Sequence, residues 1–139
     1  MKTILFVHDS QSSPAPRQHY LEVSGFRVIS LKSAHEAVRA IGQNRPDMLL
    51  TDVLVEGMNG FELCAEVRKQ HDAATLPVVM FSGIYKGRAF VEEARNVGAQ
   101  AFLAAPTNLD EMIRTINDLF AAAEQGDGAQ GAASGRKAG

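Results

Sequence analysis

Five short β-rich runs, separated by stretches of helical period, restrict the fold of this chain more than any other feature. They are "TILFV" (3–7), "FRVIS" (26–30), "DMLLT" (47–51), "VVMFS" (78–82) and "AFLA" (101–104). Between them the apolar residues change to helical spacing. Ser33 with Glu36 forms a capping-box signal, after which Ala34, Ala37, Val38 and Ile41 share one face until Pro46. Asn59 with Glu62, and Asn108 with Glu111, repeat that start signal. Gly98 fits a helix end after Phe90, Val91, Ala94 and Val97, and Met112, Ile113, Ile116, Leu119 and Phe120 form the stripe of a last helix. Pro14 and Pro16 confine the first helix to a start near residue 14 or later, ending before Gly25. Strands alternating with helices in this way pair in parallel through right-handed crossovers. The expected fold is therefore α/β, a five-stranded parallel sheet with helices on both faces. The nearly all-apolar first, third and fourth runs suit strands buried on both sides.

In this arrangement the polar residues gather at one edge. His8 and Asp9 close the first strand, Asp52 the third and Ser82 the fourth, while Ala105 and Pro106 follow the fifth. The carboxyl ends of strands are where open α/β sheets bind ligands. The rest of the chain narrows the chemistry. A net charge of -2 favours neither nucleic acid nor acidic membrane, and no apolar run approaches the length of a bilayer span or a signal peptide. Neither nucleic-acid nor membrane binding is expected of this chain, and its expected location is cytoplasmic. The single cysteine, Cys64, falls on the core side of a helix and reads as a small buried hydrophobe. His19, His35 and His71 lack metal-site spacing and read as solvated. From Glu124 the sequence "EQGDGAQGAASGRKAG" has nothing larger than alanine to bury, so residues 1–123 read as one domain and 124–139 as a flexible Gly/Ala-rich tail. That tail is a linker, a natural terminus or a cloning remnant.

The motifs "VHDS", "LLTDVLVEGMNGFEL", "VVMFSG" and "GAQAFLAAP", taken in order, resemble the receiver (CheY-like) domain of bacterial response regulators over residues 2 to about 122. The resemblance implies a doubly wound, flavodoxin-like (βα)5 fold with strand order 2-1-3-4-5, which makes strands one and three neighbours. It also implies that a histidine kinase or phosphotransfer protein passes a phosphoryl group to Asp52. An acceptor carboxylate needs the charge on the phosphoryl oxygens neutralised. The implied cofactor is Mg²⁺, held by Asp9, Asp52 and the backbone carbonyl of Leu54, with His8 beside them. By the same resemblance Ser82 is the hydroxyl that meets the phosphoryl group and Phe102 the switch aromatic. Together they would reshape helix four, strand five and helix five, where an effector protein, an output domain or a second copy would dock. On this reading the chain is a signalling domain, not an enzyme.

Three positions depart from the family pattern. His8 stands where an acid is usual, and neutral imidazole is a poor ligand for a hard cation. Glu56 stands where proline is common. Ala105 stands where the family has lysine, so it forgoes a charge-assisted contact worth about 1.5–3 kcal/mol. Lys86, on a loop between Gly83 and Gly87, has a stem long enough to swing toward the phosphoryl oxygens in compensation. The competing reading is a pseudo-receiver, an interaction module that works without phosphorylation. Two enzyme readings fail on spacing: "MFSG" lacks the glycine of a nucleophile elbow, and "SGIYKGR" lacks phosphate-loop spacing.

Overall fold

A computed structural model describes residues 1–9, 13–104 and 108–129, with side chains through Glu124. Five strands, β1 (Thr3–Val7), β2 (Arg27–Leu31), β3 (Met48–Asp52), β4 (Val78–Ser82) and β5 (Ala101–Ala104), alternate with five helices. The helices are α1 (Ala15–Val23), α2 (Ala34–Gln43), α3 (Gly60–Arg68), α4 (Arg88–Asn96) and α5 (Leu109–Ala129). All strand pairs are parallel, in the order β2-β1-β3-β4-β5 expected from the motifs.

Two strands begin and end one residue later than their β-rich runs, for local reasons. Phe26 closes α1 instead of opening β2: its N–H reaches the carbonyl of Leu21, while Gly25 at φ 101° bonds back to Glu22. This is a Schellman ending. Asp47 precedes β3 and uses its carboxylate to accept the Thr3 amide at 2.7 Å.

Alternation along the strands sorts the core into two layers. Leu5, Val7, Leu49, Val78 and Met80 pack with α2 and α3 on one face; Ile4, Phe6, Leu50, Val79 and Phe81 pack with Leu21, Met112, Ile116 and Phe120 on the other. The predicted helix starts are present. Asn59 and Glu62 make a reciprocal capping box, Asn108 accepts the Glu111 amide, and Ser33 accepts the Glu36 amide. Gly98, at φ 98°, ends α4. The last helix runs to Ala129, past Glu124, where composition marked the start of a tail. Ala121, Ala122 and Ala123 are strong helix formers and carry the helix up to Glu124.

Candidate functional site at the carboxyl edge of the sheet

The register brings the expected residues together. Asp52 is the parallel partner of Phe81, Ser82 is the partner of Ala104, and β1 lies next to β3 with Val7 opposite Thr51. One residue beyond Val7, the His8 amide continues the ladder by donating to Leu31 at 3.0 Å. Asp52 and His8 are each only 8% exposed, while Asp9 is partly exposed.

Asp52 is an uncomfortable carboxylate. Burial pushes its pKa above the ordinary carboxylate value; the Leu54 amide, donating to Oδ1 at 3.2 Å, pulls it back, and the negative charge of Asp9 pushes it further up. Phosphorylation chemistry needs such a carboxylate to be ionised, so a cation that lies against the two acids is favoured on electrostatic grounds.

The loop after Asp52 is held by its glycines. Gly60 donates to the Val53 carbonyl at 2.8 Å, and a β-carbon at position 60 would meet the Asp52 carbonyl and stand 2.9 Å from Met80 Cε. At Gly57, φ is 101° and a β-carbon would come within 2.6 Å of the His35 ring. Glu56 gains a bond that the more usual proline lacks. Its N–H donates to Lys32 at 3.4 Å and its carbonyl accepts from Ala34 at 2.9 Å, stitching this loop to the start of α2.

Ser82 is 2% exposed, and its Oγ accepts the amides of Ile84 at 3.1 Å and Tyr85 at 2.8 Å. Both acceptor positions serve the loop, which leaves the hydroxyl hydrogen as the group to offer a ligand. Phe102 pairs with Met80, is half-buried, and borders a cavity of about 50 Å³ between α4 and β5. His8 leans on Phe6, with ring centroids 5.4 Å apart, and its Nδ1 lies 3.3 Å from the Asp9 carbonyl. Lys86 is exposed. Ala105 lies outside the described residues.

One residue at this edge escaped the motif reading. The guanidinium of Arg17, on α1, stands 4.5 Å from the centroid of the Phe81 ring, and its charge interacts favourably with Asp52. The signal was available: Arg17 precedes the buried Leu21 by four residues and so faces the sheet.

Most of the expected structural residues are placed as read, but His71 is half-buried, its carbonyl accepting from Arg68. Cys64 is fully buried, its thiol donating to Val97, and His19 and His35 are exposed. Among the described residues no helix is long and apolar enough to cross a membrane, and no cluster of three or more His, Cys, Asp or Glu is placed to hold a metal.

Comparison with known proteins agrees with this geometry. Residues 4–117 match the model of the response regulator receiver domain. Protein PilH of Pseudomonas aeruginosa is 27% identical over 121 residues, covering 87% of this chain and 99% of the relative. The transcriptional regulatory protein CseB of Streptomyces coelicolor is 30% identical over 139 residues, and the match spans 58% of that longer protein. Among solved structures, the chemotaxis response regulator CheY4 of Vibrio cholerae superposes with a TM-score of 0.76 at 28% identity, covering 86% of this chain and 98% of that one.

Proposed function

Because the chain belongs to the response regulator receiver domain family, and so to phosphorelay signalling, we propose that Asp52 is its phosphoacceptor and the α4–β5–α5 face its output. The observation that carries this reading is the convergence of Asp52, Asp9 and Ser82 on one edge of the sheet, with Asp52 buried beside a second acid. An oxygen of Asp52 attacks phosphorus in line. A new O–P bond forms as the bond from phosphorus to the donor's leaving atom breaks, and the electron pair leaves with the donor.

Two interacting carboxylates, one of them partly exposed, suit a hard cation that keeps several waters. Asp9, Asp52 and the Leu54 carbonyl would hold Mg²⁺, which supplies charge neutralisation to the transferring group. His8 is committed to Phe6 and Asp9 and is not required as a ligand.

Ser82 links chemistry to output. Its hydroxyl hydrogen is free to be donated to a phosphoryl oxygen, and any shift of Oγ toward the ligand pulls on the two loop amides it holds, hence on the start of α4. The half-buried Phe102, beside the small cavity on that face, is positioned to turn inward in response. Upstream we place a histidine kinase or phosphotransfer protein, downstream an effector, an output domain or a second copy docking on the α4–β5–α5 face. The working unit is residues 1–123 with the helical extension to Ala129, and its setting the cytoplasm.

The test is to incubate the protein with Mg²⁺ and acetyl phosphate and weigh it. A gain of one phosphoryl mass in the parent, absent in Asp52→Asn, is expected. No gain in the parent, or an equal gain in the variant, overturns the assignment.

A further inference from the structure

We propose that Arg17 is the cation that receives the phosphoryl group on Asp52, reaching the pocket from α1 across the face of Phe81. This rests on Asp52 being phosphorylated and adds to that reading a residue and a direction of approach.

Phe81 is the parallel register partner of Asp52, so their backbones lie one strand spacing apart, about 4.8 Å. Its ring is packed against Phe6 with centroids 5.7 Å apart and is 4% exposed, which makes it a fixed platform. The guanidinium of Arg17 lies over that platform at 4.5 Å. A cation held by a ring face keeps its N–H edges available, and guanidinium presents five N–H donors in a plane that matches the oxygens of a phosphoryl group.

The helix that delivers Arg17 is itself anchored. Leu21 is fully buried, Gln18 accepts from the Ser30 hydroxyl at 2.9 Å, and the Tyr20 hydroxyl donates to Asp110 of α5. The side chain therefore works from a fixed base and loses little freedom on meeting a ligand.

Charge points the same way. Among the described residues, Asp52 feels two charged neighbours, Asp9 repelling and Arg17 attracting. Burial weakens the Arg17 cation's hold on its proton and Asp52 strengthens it, and guanidinium remains charged throughout the working range. A phosphoryl group adds negative charge beside the two acids, on the side where Arg17 already attracts Asp52. Ala105 brings no positive charge.

The experiment compares four proteins in full-length form: parent, Arg17→Met, Arg17→Lys, and Arg17→Met combined with Ala105→Lys. Methionine keeps an apolar stem over Phe81 and removes the charge together with the N–H donors. The readouts are the rate of phosphoryl uptake from acetyl phosphate with Mg²⁺, the affinity for beryllofluoride by ¹⁹F NMR, and the thermal midpoint. We expect Arg17→Met to lose about tenfold or more in both rate and beryllofluoride affinity, with the thermal midpoint little changed. Arg17→Lys recovers part of the loss, and the double variant recovers most, which a purely structural role for Arg17 would not allow.

Equal uptake by parent and Arg17→Met overturns the assignment while leaving Asp52 as acceptor. A loss in Arg17→Met that Ala105→Lys does not restore also overturns it. No uptake by the parent overturns the Asp52 reading itself, and this proposal with it.

Discussion

Gly60 and Asp52 are packed backbone against backbone: a β-carbon on residue 60 would meet the Asp52 carbonyl oxygen and stand 2.9 Å from Met80 Cε. The first turn of α3 is thus set directly against the end of the strand that bears Asp52. Gly60→Ala is expected to destabilise the fold by about 1–3 kcal/mol, because backbone cannot yield as a side-chain tip can. Denaturant unfolding measures the loss, and phosphoryl uptake should slow with it as Asp52 is displaced.

Ser82→Ala removes the acceptor shared by the Ile84 and Tyr85 amides. A loss of about 1–2 kcal/mol is expected for the two stranded donors. Hydrogen exchange at those two amides should accelerate while exchange at Leu49 and Leu50, in the central strand, stays slow.

His8→Asp is expected to raise Mg²⁺ affinity, since a hard oxygen replaces an imidazole beside Asp9 and Asp52. Without metal the variant should be less stable than the parent, because three acids then share one edge, and Mg²⁺ should restore the difference. A metal titration followed by thermal unfolding reads both effects. Unchanged affinity would place His8 outside the pocket.

Burial pushes the Cys64 thiol up to about 11 from its ordinary 9.0, with Arg68 partly opposing. A raised folded-state value means the native protein keeps a proton that the unfolded chain has released. The stabilisation is complete below pH 9.0 and is lost as pH rises toward about 11, a total of about 3 kcal/mol. The difference in unfolding free energy between parent and Cys64→Ala, followed across that window, isolates this effect from other alkaline groups. At pH 8 the native thiol should react with a disulfide reagent only at the rate of unfolding.

Asp72 behaves oppositely. Its carboxylate accepts from the Thr75 hydroxyl and amide at 2.8 and 2.9 Å, and these bonds hold its pKa below the ordinary 3.8. The contribution is present above pH 3.8 and disappears as pH falls through the lowered value. For an exposed turn, Asp72→Ala should cost about 0.5–1 kcal/mol at pH 7 and progressively less in acid.

Sequence periodicity and strand-end residues made the architecture and most of the pocket legible before any coordinates. Asp52 and Ser82 end apolar runs, and His8 with Asp9 follows another; an apolar run that stops on a polar residue marks the edge of a sheet. What stayed hidden depends on contacts between distant segments. Arg17 sits in the segment with the weakest helical signal, and only packing of α1 over Phe81 brings it to Asp52. The Glu56 amide looks like a mere lost proline until Lys32 is found opposite it. The one-residue shifts of β2 and β3 come from Phe26 and Asp47, both used by neighbouring elements in ways no run of hydrophobicity encodes. At the far end α5 continues past Glu124 through Gly126 and Gly128 to Ala129, where lack of burial had marked a tail.

Arg68 gives the opposite side of the molecule its stiffness. Its guanidinium holds the carbonyls of Gly98, His71 and Leu76 at 2.8–3.1 Å, together with the Gln100 side chain. Gly98 is the hinge-like end of α4, so one end of that helix is bolted to α3 and β4 while its other end hangs from Ser82 through the loop. The helix is then a lever with its fulcrum at Gly98. Nine residues give it an arm of about 13 Å, so a tilt of about 10° at the fulcrum moves the Arg88 end by roughly 2 Å. A small pull at Ser82 would therefore be expressed as a graded displacement along α4, greatest near Arg88 and vanishing toward Asn96.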